Sequence, residues 1–493
     1  MAVIEVKNLT FRYPGSDENA LSDVNMAVRP GELVLLCGRS GSGKSTLLRL
    51  LKKEIAPYGE VNGSISVEQA EIGFVGQNIE SNIITDTVIG ELAFSLESKG
   101  LNNEEISLKI AQTASYFNLN KYINEKTHNL SGGVKQLLAL ACAVSVNPRV
   151  LLLDEPCSQL DPVSAMNFRD AVLRLNREKG VTVVMCEHSS AMLGRADKVL
   201  FLEKGKADFC GRPDEFARFL TEQKNGMALM LPAYTRLLKS RTLDFAAARE
   251  EIKDVKEKPA MEYPAAEVSV SVKKLAFAYK RNAPDVLFGT DYKAQVGRIN
   301  VIVGANGCGK TTLLKCLAGV LKPYGGKIKK SGKTAYLPQN VYTLFLSDTV
   351  QDEIQNDEIL SRFSLEKLKS RNPFDLSGGE AQRLALAKIE QTGADILLLD
   401  EPTKGTDAVF RCQLAEILQS WCAMGKTVIL STHDLEFAGR YADNAAFLFN
   451  GQIVSAAPRR RFFAALDIYT TALSALTEGR IVSVDDAEVG DEE

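Results

Sequence analysis

A glycine-rich loop of one type occurs twice in this chain of 493 residues. Each copy follows a β-branched, apolar run, 33–36 or 299–303, and precedes a leucine-rich stretch. A strand, this loop and a helix in that order bind phosphate, because the glycines let backbone N–H groups approach the anion and the helix N-terminus is electropositive. The candidate nucleotide-binding residues are Gly38, Ser40, Gly41, Gly43, Lys44, Ser45 and Thr46 in the first copy and Gly304, Asn306, Gly307, Gly309, Lys310, Thr311 and Thr312 in the second. Two loops predict two bound nucleotides.

The loops belong to a repeat that spans most of the chain. Gln77 and Gln339 are 262 residues apart, whereas Ser131 and Ser377 are 246 apart. The second copy is therefore 16 positions shorter between these points. A fixed register over so many residues indicates two copies of one domain, and the shorter stretch marks a surface at which the copies diverged.

Short, continuous apolar runs at 150–153, 181–185, 396–399 and 428–430 alternate with helical patterns. Such runs suit strands buried on both faces of a parallel sheet, so the predicted fold class is α/β. The predicted boundaries are 1–225 for the first domain, 226–266 for an accessory extension and linker, 267–480 for the second domain and 481–493 for an acidic disordered tail.

Composition excludes several function classes. A net charge of −3 gives no general attraction to nucleic acid, so we expect no nucleic-acid partner. No apolar run is long enough to cross a bilayer, so we expect no direct span of the lipid. The nine cysteines form no C-x-x-C pair, which favours reduced thiols over a metal site.

An Asp–Glu pair ends one apolar strand in each copy, Asp154-Glu155 and Asp400-Glu401. Buried acids are costly unless a cation or a proton compensates them. We therefore expect the aspartates to help bind Mg²⁺ near the phosphates and the glutamates to polarise the attacking water. The predicted Mg²⁺ ligands are Ser45, Asp154, Gln77, Thr311, Asp400 and Gln339.

Two of the three histidines, His188 and His433, follow the next apolar strand at matching places in the two copies. Each is predicted to contact the terminal phosphate and to help position the water. Gln77 and Gln339 end short apolar runs, from which an amide can reach the metal ion or the water. The predicted catalytic residues are thus Glu155, Glu401, His188, His433, Gln77 and Gln339.

Two further features repeat. Ser131-Gly132-Gly133 and Ser377-Gly378-Gly379 each open a helical run, which predicts a second anion cradle at a helix N-terminus. One phosphate loop already saturates its own phosphates, so this cradle is best used on the ATP of another half. Tyr13 and Tyr279 precede the first sheet of each copy and could stack on an adenine face. A structural tyrosine in the core or in a turn is the alternative for both.

Together these residues resemble the ATP-binding-cassette (ABC) ATPases. The ordered set is an aromatic residue, a Walker A loop, a Gln-loop, an LSGG signature, a Walker B strand with Glu, a D-loop and a switch His. The resemblance implies a P-loop core with a helical subdomain, two such domains in a head-to-tail sandwich, and two ATP at the interface. It pairs Lys44 and Glu155 with the second signature and Lys310 and Glu401 with the first. It also places Asp161 and Asp407 in D-loops beside the nucleotide.

A narrower likeness concerns the energy-coupling factor (ECF) transporter ATPases. The sequences QNIESN at 77–82, TDTV at 85–88, ELAF at 91–94 and THDLEF at 432–437 resemble that subfamily and its fused, two-cassette forms. The resemblance implies a transmembrane coupling (T) protein and a substrate-binding membrane (S) protein as partners. It also implies a peripheral location on the cytoplasmic face of the cell membrane, import of a micronutrient such as a vitamin or metal ion, and coupling helices that enter grooves beside the Gln-loops.

The chain departs from the family pattern in places. The first signature has Val134 and Leu137 where Gln and Arg are usual, which predicts slower turnover at the site that uses it. Two alternatives remain open at this point. One is the fused ATPase of another ABC importer, such as a sugar importer. The other is a soluble ABC ATPase of translation or DNA repair, although the long charged inter-domain helices and the metal-binding cysteines of such proteins have no counterpart in this sequence.

Overall fold

The computed structural model describes residues 2–68, 71–78, 83–187, 190–223, 227–259 and 266–488. It divides into two compact units. The first comprises Met1–Pro232 and Arg241–Asp244, and the second comprises Ala233–Ser240 and Phe245–Glu493. Each unit contains one glycine-rich loop, and we call them the first and second cassette.

The first cassette contains an antiparallel sheet of order β2-β1-β4 and a larger sheet of order β5-β6-β7-β3-β8-β9. In the larger sheet β9 runs antiparallel to β8 and the other neighbours are parallel. Its strands are β1 (Ile4–Arg12), β2 (Leu21–Val28), β3 (Leu33–Gly38), β4 (Glu60–Val67), β5 (Ile72–Val75), β6 (Val150–Asp154), β7 (Thr182–Cys186), β8 (Lys198–Glu203) and β9 (Lys206–Gly211). Its helices are α1 (Lys44–Leu50), α2 (Val88–Glu97), α3 (Asn103–Tyr116), α4 (Gly132–Ser145), α5 (Pro162–Lys179) and α6 (Pro213–Glu222).

The second cassette repeats this plan with sheets β11-β10-β13 and β14-β15-β16-β12-β17-β18. Its strands are β10 (Val268–Phe277), β11 (Leu287–Gln295), β12 (Ile299–Val303), β13 (Gly325–Lys330), β14 (Thr334–Leu337), β15 (Ile396–Asp400), β16 (Thr427–Ser431), β17 (Asn444–Phe449) and β18 (Gln452–Pro458). Its helices are α7 (Ala233–Leu237), α8 (Phe245–Glu251), α9 (Lys310–Ala318), α10 (Val350–Glu353), α11 (Asp357–Arg362), α12 (Gly378–Gln391), α13 (Ala408–Ala423), α14 (Leu435–Tyr441), α15 (Arg459–Ala464) and α16 (Ala472–Leu476).

The central strands of the larger sheets are apolar without alternation because both of their faces are covered. Every residue of β3, β6, β12 and β15 is buried. A parallel arrangement brings the carboxyl ends of these strands to one edge, where ligands of open α/β sheets bind. The glycine-rich loops follow β3 and β12, and the Asp–Glu pairs end β6 and β15, so the fold gathers them at this edge.

The helical subdomains account for the unequal length of the copies. Helices α2 and α3 have 10 and 14 residues, whereas their counterparts α10 and α11 have 4 and 6. A buried glutamate holds the preceding loop in both: Glu91 accepts bonds from the N–H groups of Ile84 and Thr85, and Glu353 accepts them from the corresponding loop of the second cassette. The subdomains thus share one anchor and differ in their helices.

The segment predicted as an accessory extension and linker, 226–266, is divided between the two cassettes. Its residues 233–240 and 245–259 pack with the second cassette, as the division into units shows. Ala233, Tyr234 and Ile252 share an apolar cluster with Leu473 and Ile481. The sequence alone does not reveal this, because α7 and α8 have only 5 and 7 residues and are too short to show an amphipathic period. Residues 260–265 of the predicted linker lie outside the described residues.

The acidic tail predicted at 481–493 is not disordered over its described part, 481–488. Ile481 and Ala487 are fully buried, and Asp486 accepts hydrogen bonds from the guanidinium groups of Arg459 and Arg460. Two cations therefore neutralise a carboxylate that composition alone assigns to solvent. Residues 233–240, 245–254 and 472–487 form a C-terminal lobe on the second cassette, and residues 489–493 lie outside the described residues.

Candidate functional site

Both glycine-rich loops require glycine at their first position. Gly38 and Gly304 have φ of 142° and 154°, and an added Cβ would collide with the carbonyl oxygen of Leu202 or Leu448. The chain therefore passes too close to the neighbouring strand for any side chain. This close passage fixes the loop over the carboxyl edge of the sheet.

Each loop lysine is buried and points back into its own loop. Lys44 Nζ donates to the carbonyl oxygens of Gly38 and Arg39 at 3.0 and 2.8 Å. Lys310 Nζ makes the matching bonds to Gly304 and Ala305 at 2.9 and 3.1 Å. The ammonium groups thus lie within the cradle where phosphate oxygens are expected.

The first hydroxyl of each following helix reaches the strand-end aspartate. Ser45 Oγ donates to Asp154 Oδ1 at 2.8 Å, and Thr311 Oγ1 donates to Asp400 Oδ1 at 3.1 Å. Both aspartates are almost completely buried. A hydroxyl and a carboxylate side by side at a phosphate loop are hard oxygen ligands, which suit Mg²⁺.

The surroundings of the two aspartates differ. Burial raises the pKa of Asp154, although the bond from Ser45 opposes this, and Arg49 lies 3.9 Å from its Oδ2. Asp400 instead accepts from the hydroxyls of Tyr336 at 3.1 Å and Ser431 at 2.7 Å. The first cassette has Phe74 and Cys186 at those two positions, so its aspartate has neither hydroxyl partner.

The glutamates adopt strained backbone conformations in both cassettes. Glu155 and Glu401 have φ of 47° and 52°, a left-handed conformation that residues with a Cβ seldom adopt. Such strain persists only where the surrounding structure enforces it, and it concentrates at functional sites. Its recurrence at the same position of both copies supports the role predicted for these residues.

The glutamates have different neighbours. Gln77 Nε2 donates to Glu155 Oε2 at 3.0 Å, so the predicted Gln-loop side chain does meet the predicted base in the first cassette. Glu401 lies 3.0 Å from His433 Nε2 and 3.9 Å from Lys310 Nζ. Burial raises the pKa of Glu401 to about 7, although the charge of Lys310 opposes the shift.

The remaining predicted catalytic residues stand as follows. His433 is held beside Glu401 and the loop lysine. Its backbone N–H donates to Glu401 Oε2 at 3.1 Å, and its ring lies 3.2 Å from Lys310 Nζ. Gln339 is exposed and follows β14. His188 and residues 79–82 of the QNIESN segment lie outside the described residues.

The serine–glycine–glycine segments form helix N-termini. Ser131 caps α4, and Ser377 caps α12 in a capping box with Glu380. An added Cβ at Gly132, Gly378 or Gly379 would meet no atom within 4 Å. The N-termini of these two 14-residue helices are therefore open to an approaching anion. Gly133, the third residue of the predicted cradle, packs instead against the side chain of Ser164.

The D-loop aspartates have a local structural role. Asp161 Oδ1 accepts from the N–H of Ser164 at 3.1 Å and caps α5, and Asp407 Oδ1 accepts from the N–H of Phe410 at 2.8 Å and caps α13. Replacing such a cap by alanine costs about 1 kcal/mol of stability. A role at the nucleotide would be additional to this one.

The two tyrosines lie at the start of the loop helices. Tyr13 OH lies 3.0 Å from Thr46 Oγ1, and Tyr279 OH lies 3.1 Å from Thr312 Oγ1. Both tyrosines are exposed, at 40% and 57%, and each ring contacts a phenylalanine of the preceding strand edge-on. An exposed ring held beside the phosphate loop is available for stacking, whereas a core tyrosine would be buried.

Sequence reasoning missed a network around the second site. Thr403 and Thr432 share a hydrogen bond of 2.7 Å between their hydroxyls, and Ser431 joins Asp400 to the backbone of Glu401. The equivalent residues of the first cassette are Cys157, Glu187 and Cys186. A position-by-position comparison of the copies would have exposed this replacement of three hydroxyl side chains.

Comparison with known proteins agrees with this geometry. Residues 21–158 and 287–404 match the family model described as ABC transporter. A provisionally named ABC transporter ATP-binding protein of Bacillus cereus is 34% identical, over 96% of this chain and 95% of its own. A Bacillus subtilis protein provisionally named HMP/thiamine import ATP-binding protein YkoD is 30% identical, over 90% of each chain.

Solved structures agree on the fold. An RNase-L inhibitor structure superposes with a TM-score of 0.67 at 21% identity, over 97% of this chain and all of that one. An archaeal ribosome recycling factor in complex with a ribosomal stalk protein gives a TM-score of 0.66 at 22% identity. Identities this low show a common fold and nothing more. Among the residues that the structure describes, no helix has the length and apolar character needed to span a bilayer.

Proposed function

Because the chain belongs to the ABC transporter family of ATP-binding proteins, and is an ATPase with two tandem nucleotide-binding domains, we propose that it energises an ECF-type membrane importer of a micronutrient. The proposed partners are a transmembrane coupling (T) protein and a substrate-binding membrane (S) protein. The chain would act at the cytoplasmic face of the membrane, as a peripheral subunit.

The observation that carries this proposal is a set of exposed apolar side chains beside each Gln-loop. In the first cassette they are Ile84 and Phe94, which are 67% and 46% exposed. In the second they are Leu346 and Phe374, which are 89% and 59% exposed. In the second cassette Phe374 stacks on Tyr342 and meets Phe345, the neighbour of Leu346 in the chain. An exposed apolar patch of this kind favours a protein partner. An amphipathic helix of a membrane protein is the kind of partner that the ECF resemblance implies.

Two further points support an importer with one asymmetric partner. Since α10 and α11 are much shorter than α2 and α3, the two cassettes offer unequal surfaces to whatever binds there. The provisional name of the Bacillus subtilis relative refers to import of HMP and thiamine, which are micronutrients. Transport of a related compound is part of the proposal.

The proposed chemistry follows from the residues of each cassette. Lys44 and Lys310 bind the terminal phosphates, and the Ser45–Asp154 and Thr311–Asp400 pairs hold Mg²⁺, which would neutralise phosphate charge. Glu155 and Glu401 orient and polarise the attacking water.

The other predicted site residues assist in this proposal. His433 and His188 contact the terminal phosphate, Gln77 and Gln339 sense the metal ion or the water, and Tyr13 and Tyr279 stack on the adenine. The open helix ends at Ser131-Gly132-Gly133 and Ser377-Gly378-Gly379 bind phosphate, with Asp161 and Asp407 beside the nucleotide.

Co-purification from native membranes tests the membrane role. The tagged full-length chain is isolated after mild solubilisation, and bound proteins are identified by mass spectrometry. We expect a polytopic coupling protein together with a small membrane protein. Recovery of ribosomal or DNA-repair components without any membrane protein would contradict the proposal and favour a soluble ABC ATPase. A periplasmic-binding-protein system would favour another ABC importer.

Matched substitutions locate the contact. Ile84→Asp and Leu346→Asp place a charge on the proposed surface and should remove the membrane proteins from the isolate. Met166→Asp and Met424→Asp are controls, because these residues are 50% and 53% exposed but lie outside the helical subdomains. ATP binding should survive in all four variants. Equal recovery of partners by Leu346→Asp and Met424→Asp would place the contact elsewhere.

A further inference from the structure

An arginine of the helix after each D-loop pairs with a carboxylate beside the switch-histidine position. In the second cassette Arg411, in the first turn of α13, donates to Asp434 at 2.6 Å. In the first cassette Arg169, in the third turn of α5, lies 3.5 Å from Glu187. All four side chains are mostly buried. Asp434 follows His433 in the chain, whereas Glu187 precedes His188.

These pairs are not copies of one another. The position of Arg411 is occupied by Ala165 in the first cassette, and the position of Arg169 is occupied by Ala415 in the second. The position of Glu187 is Thr432, which bonds Thr403 instead. Each cassette therefore has the same kind of contact between the same two elements, built from different positions.

A buried arginine–carboxylate pair is weak evidence of stabilisation, because desolvation of both charges offsets much of their attraction. It does fix geometry, since removing one partner leaves a buried, uncompensated charge. Here it fixes the residue next to the histidine against a helix whose N-cap is Asp161 or Asp407. Cys157 lies at the first pair, where burial and then the charge of Glu187 raise the pKa of its thiol.

We propose that Arg411–Asp434 is a positioning pair that ties His433 to the helix after its D-loop, and that Arg169–Glu187 ties the residue before the corresponding histidine position to the matching helix of the first cassette. Movement of α13 is then transmitted to His433 through the residue that follows it. This inference rests on the proposed role of the histidines in ATP hydrolysis.

The test removes the charges and keeps the shapes. Asp434→Asn suits this purpose because Asp434 Oδ1 also caps α14 by accepting from Phe437, and asparagine can still do so. The full-length Glu187→Gln/Asp434→Asn variant should lose about 10- to 100-fold in kcat, as expected for a small displacement of a reacting group, with KM for ATP within about twofold. Steady-state ATPase assays measure both.

Two further variants keep the result interpretable. If the first variant is unstable, adding Arg169→Gln and Arg411→Gln leaves no unpaired buried charge, and the same loss of kcat is expected. Arg169→Lys/Arg411→Lys retains both charges and should keep kcat within about threefold of the original. Asp485→Asn is the control, because it breaks the more exposed Arg440–Asp485 pair of the same cassette and should change neither parameter.

Three outcomes would overturn the inference: an unchanged kcat in the charge-free variants, a rise in KM alone, or an equal loss in the lysine variant. Separate His188→Ala and His433→Ala variants distinguish a failure of the proposed histidine role from a failure of the positioning pairs. If those retain full activity, the proposed role of the histidines fails. If they are inactive while the charge-free variants are fully active, the histidines remain and the positioning pairs are wrong.

Discussion

The two cassettes agree in the loops that are predicted to bind phosphate and differ in the side chains that surround those loops. Gly38 and Gly304 have the same close passage, and Glu155 and Glu401 have the same left-handed backbone. Around them, the hydroxyl network of the second cassette is replaced in the first by two thiols and an ion pair. Duplication has thus retained the groups that are predicted to contact nucleotide and exchanged the side chains around them.

The largest expected effect concerns the paired glutamates. Glu155→Gln/Glu401→Gln should reduce steady-state ATPase activity by about 100-fold or more, because a general base contributes at least that much. The single variants should lose unequal amounts, with the larger loss for Glu155→Gln, as the departures at Val134 and Leu137 predict. ATP binding, measured by equilibrium titration, should survive in all three.

Equal losses of ATPase activity in the two single variants would contradict the prediction that the two sites turn over at different rates. The cassettes would then differ in their supporting residues without differing in turnover. A double variant with near-normal activity would show instead that neither glutamate polarises the water.

The second prediction concerns the lobe that only the second cassette has among the described residues. Asp486→Asn leaves Arg459 and Arg460 without their buried carboxylate, so we expect a loss of about 3–5 kcal/mol in the unfolding free energy of the second cassette. Chemical denaturation followed by cassette-specific probes measures it. The first cassette should unfold as before, and loss of its stability instead would contradict the assignment of the lobe.

This effect has a defined pH dependence. Burial alone raises the pKa of Asp486, but the bonds and charges of Arg459 and Arg460 hold it below its ordinary value. A carboxylate with a lowered pKa in the folded state stabilises the protein above its unfolded-state pKa, and this contribution is lost as the pH falls through the lowered pKa. The original chain and Asp486→Asn should therefore differ fully at pH 7 and converge below about pH 4. A constant difference across that range would contradict the ion-pair explanation.

The sequence reveals the features that the two cassettes share and misses most of the side chains that support them, for a physical reason. Loop glycines, strand-end acids and helix-capping serines are local patterns whose geometry follows from their own segment. Asp486 belongs instead to an acidic stretch that composition assigns to solvent, and it is buried only because α15 brings two arginines to it. Contacts such as Tyr336 with Asp400 join distant segments, so no single window of sequence contains them.

The third prediction asks whether the exposed tyrosines act alike. Tyr13→Ala and Tyr279→Ala should each weaken ATP binding at their own site by about 1–3 kcal/mol if the rings stack on adenine. Tyr13→Phe and Tyr279→Phe keep the ring and lose only the contact with Thr46 or Thr312, so their affinity should stay near the original. Binding of a fluorescent ATP analogue measures all four. Equal effects of alanine and phenylalanine would assign the role to the hydroxyl.

The smallest expected effect tests the hydroxyl network itself. Thr403→Val removes the bond to Thr432 and should lower stability by about 1 kcal/mol, as for one buried hydrogen bond. Ser474→Ala in the C-terminal lobe also removes one buried hydrogen bond, from its hydroxyl to the carbonyl oxygen of Phe463, and should lower stability by a similar amount. Only Thr403→Val should also reduce kcat, since Thr432 precedes the switch histidine and accepts from the N–H of Asp434. Unchanged turnover in Thr403→Val would mean that the network supports the fold alone, and that its replacement in the first cassette has no bearing on catalysis.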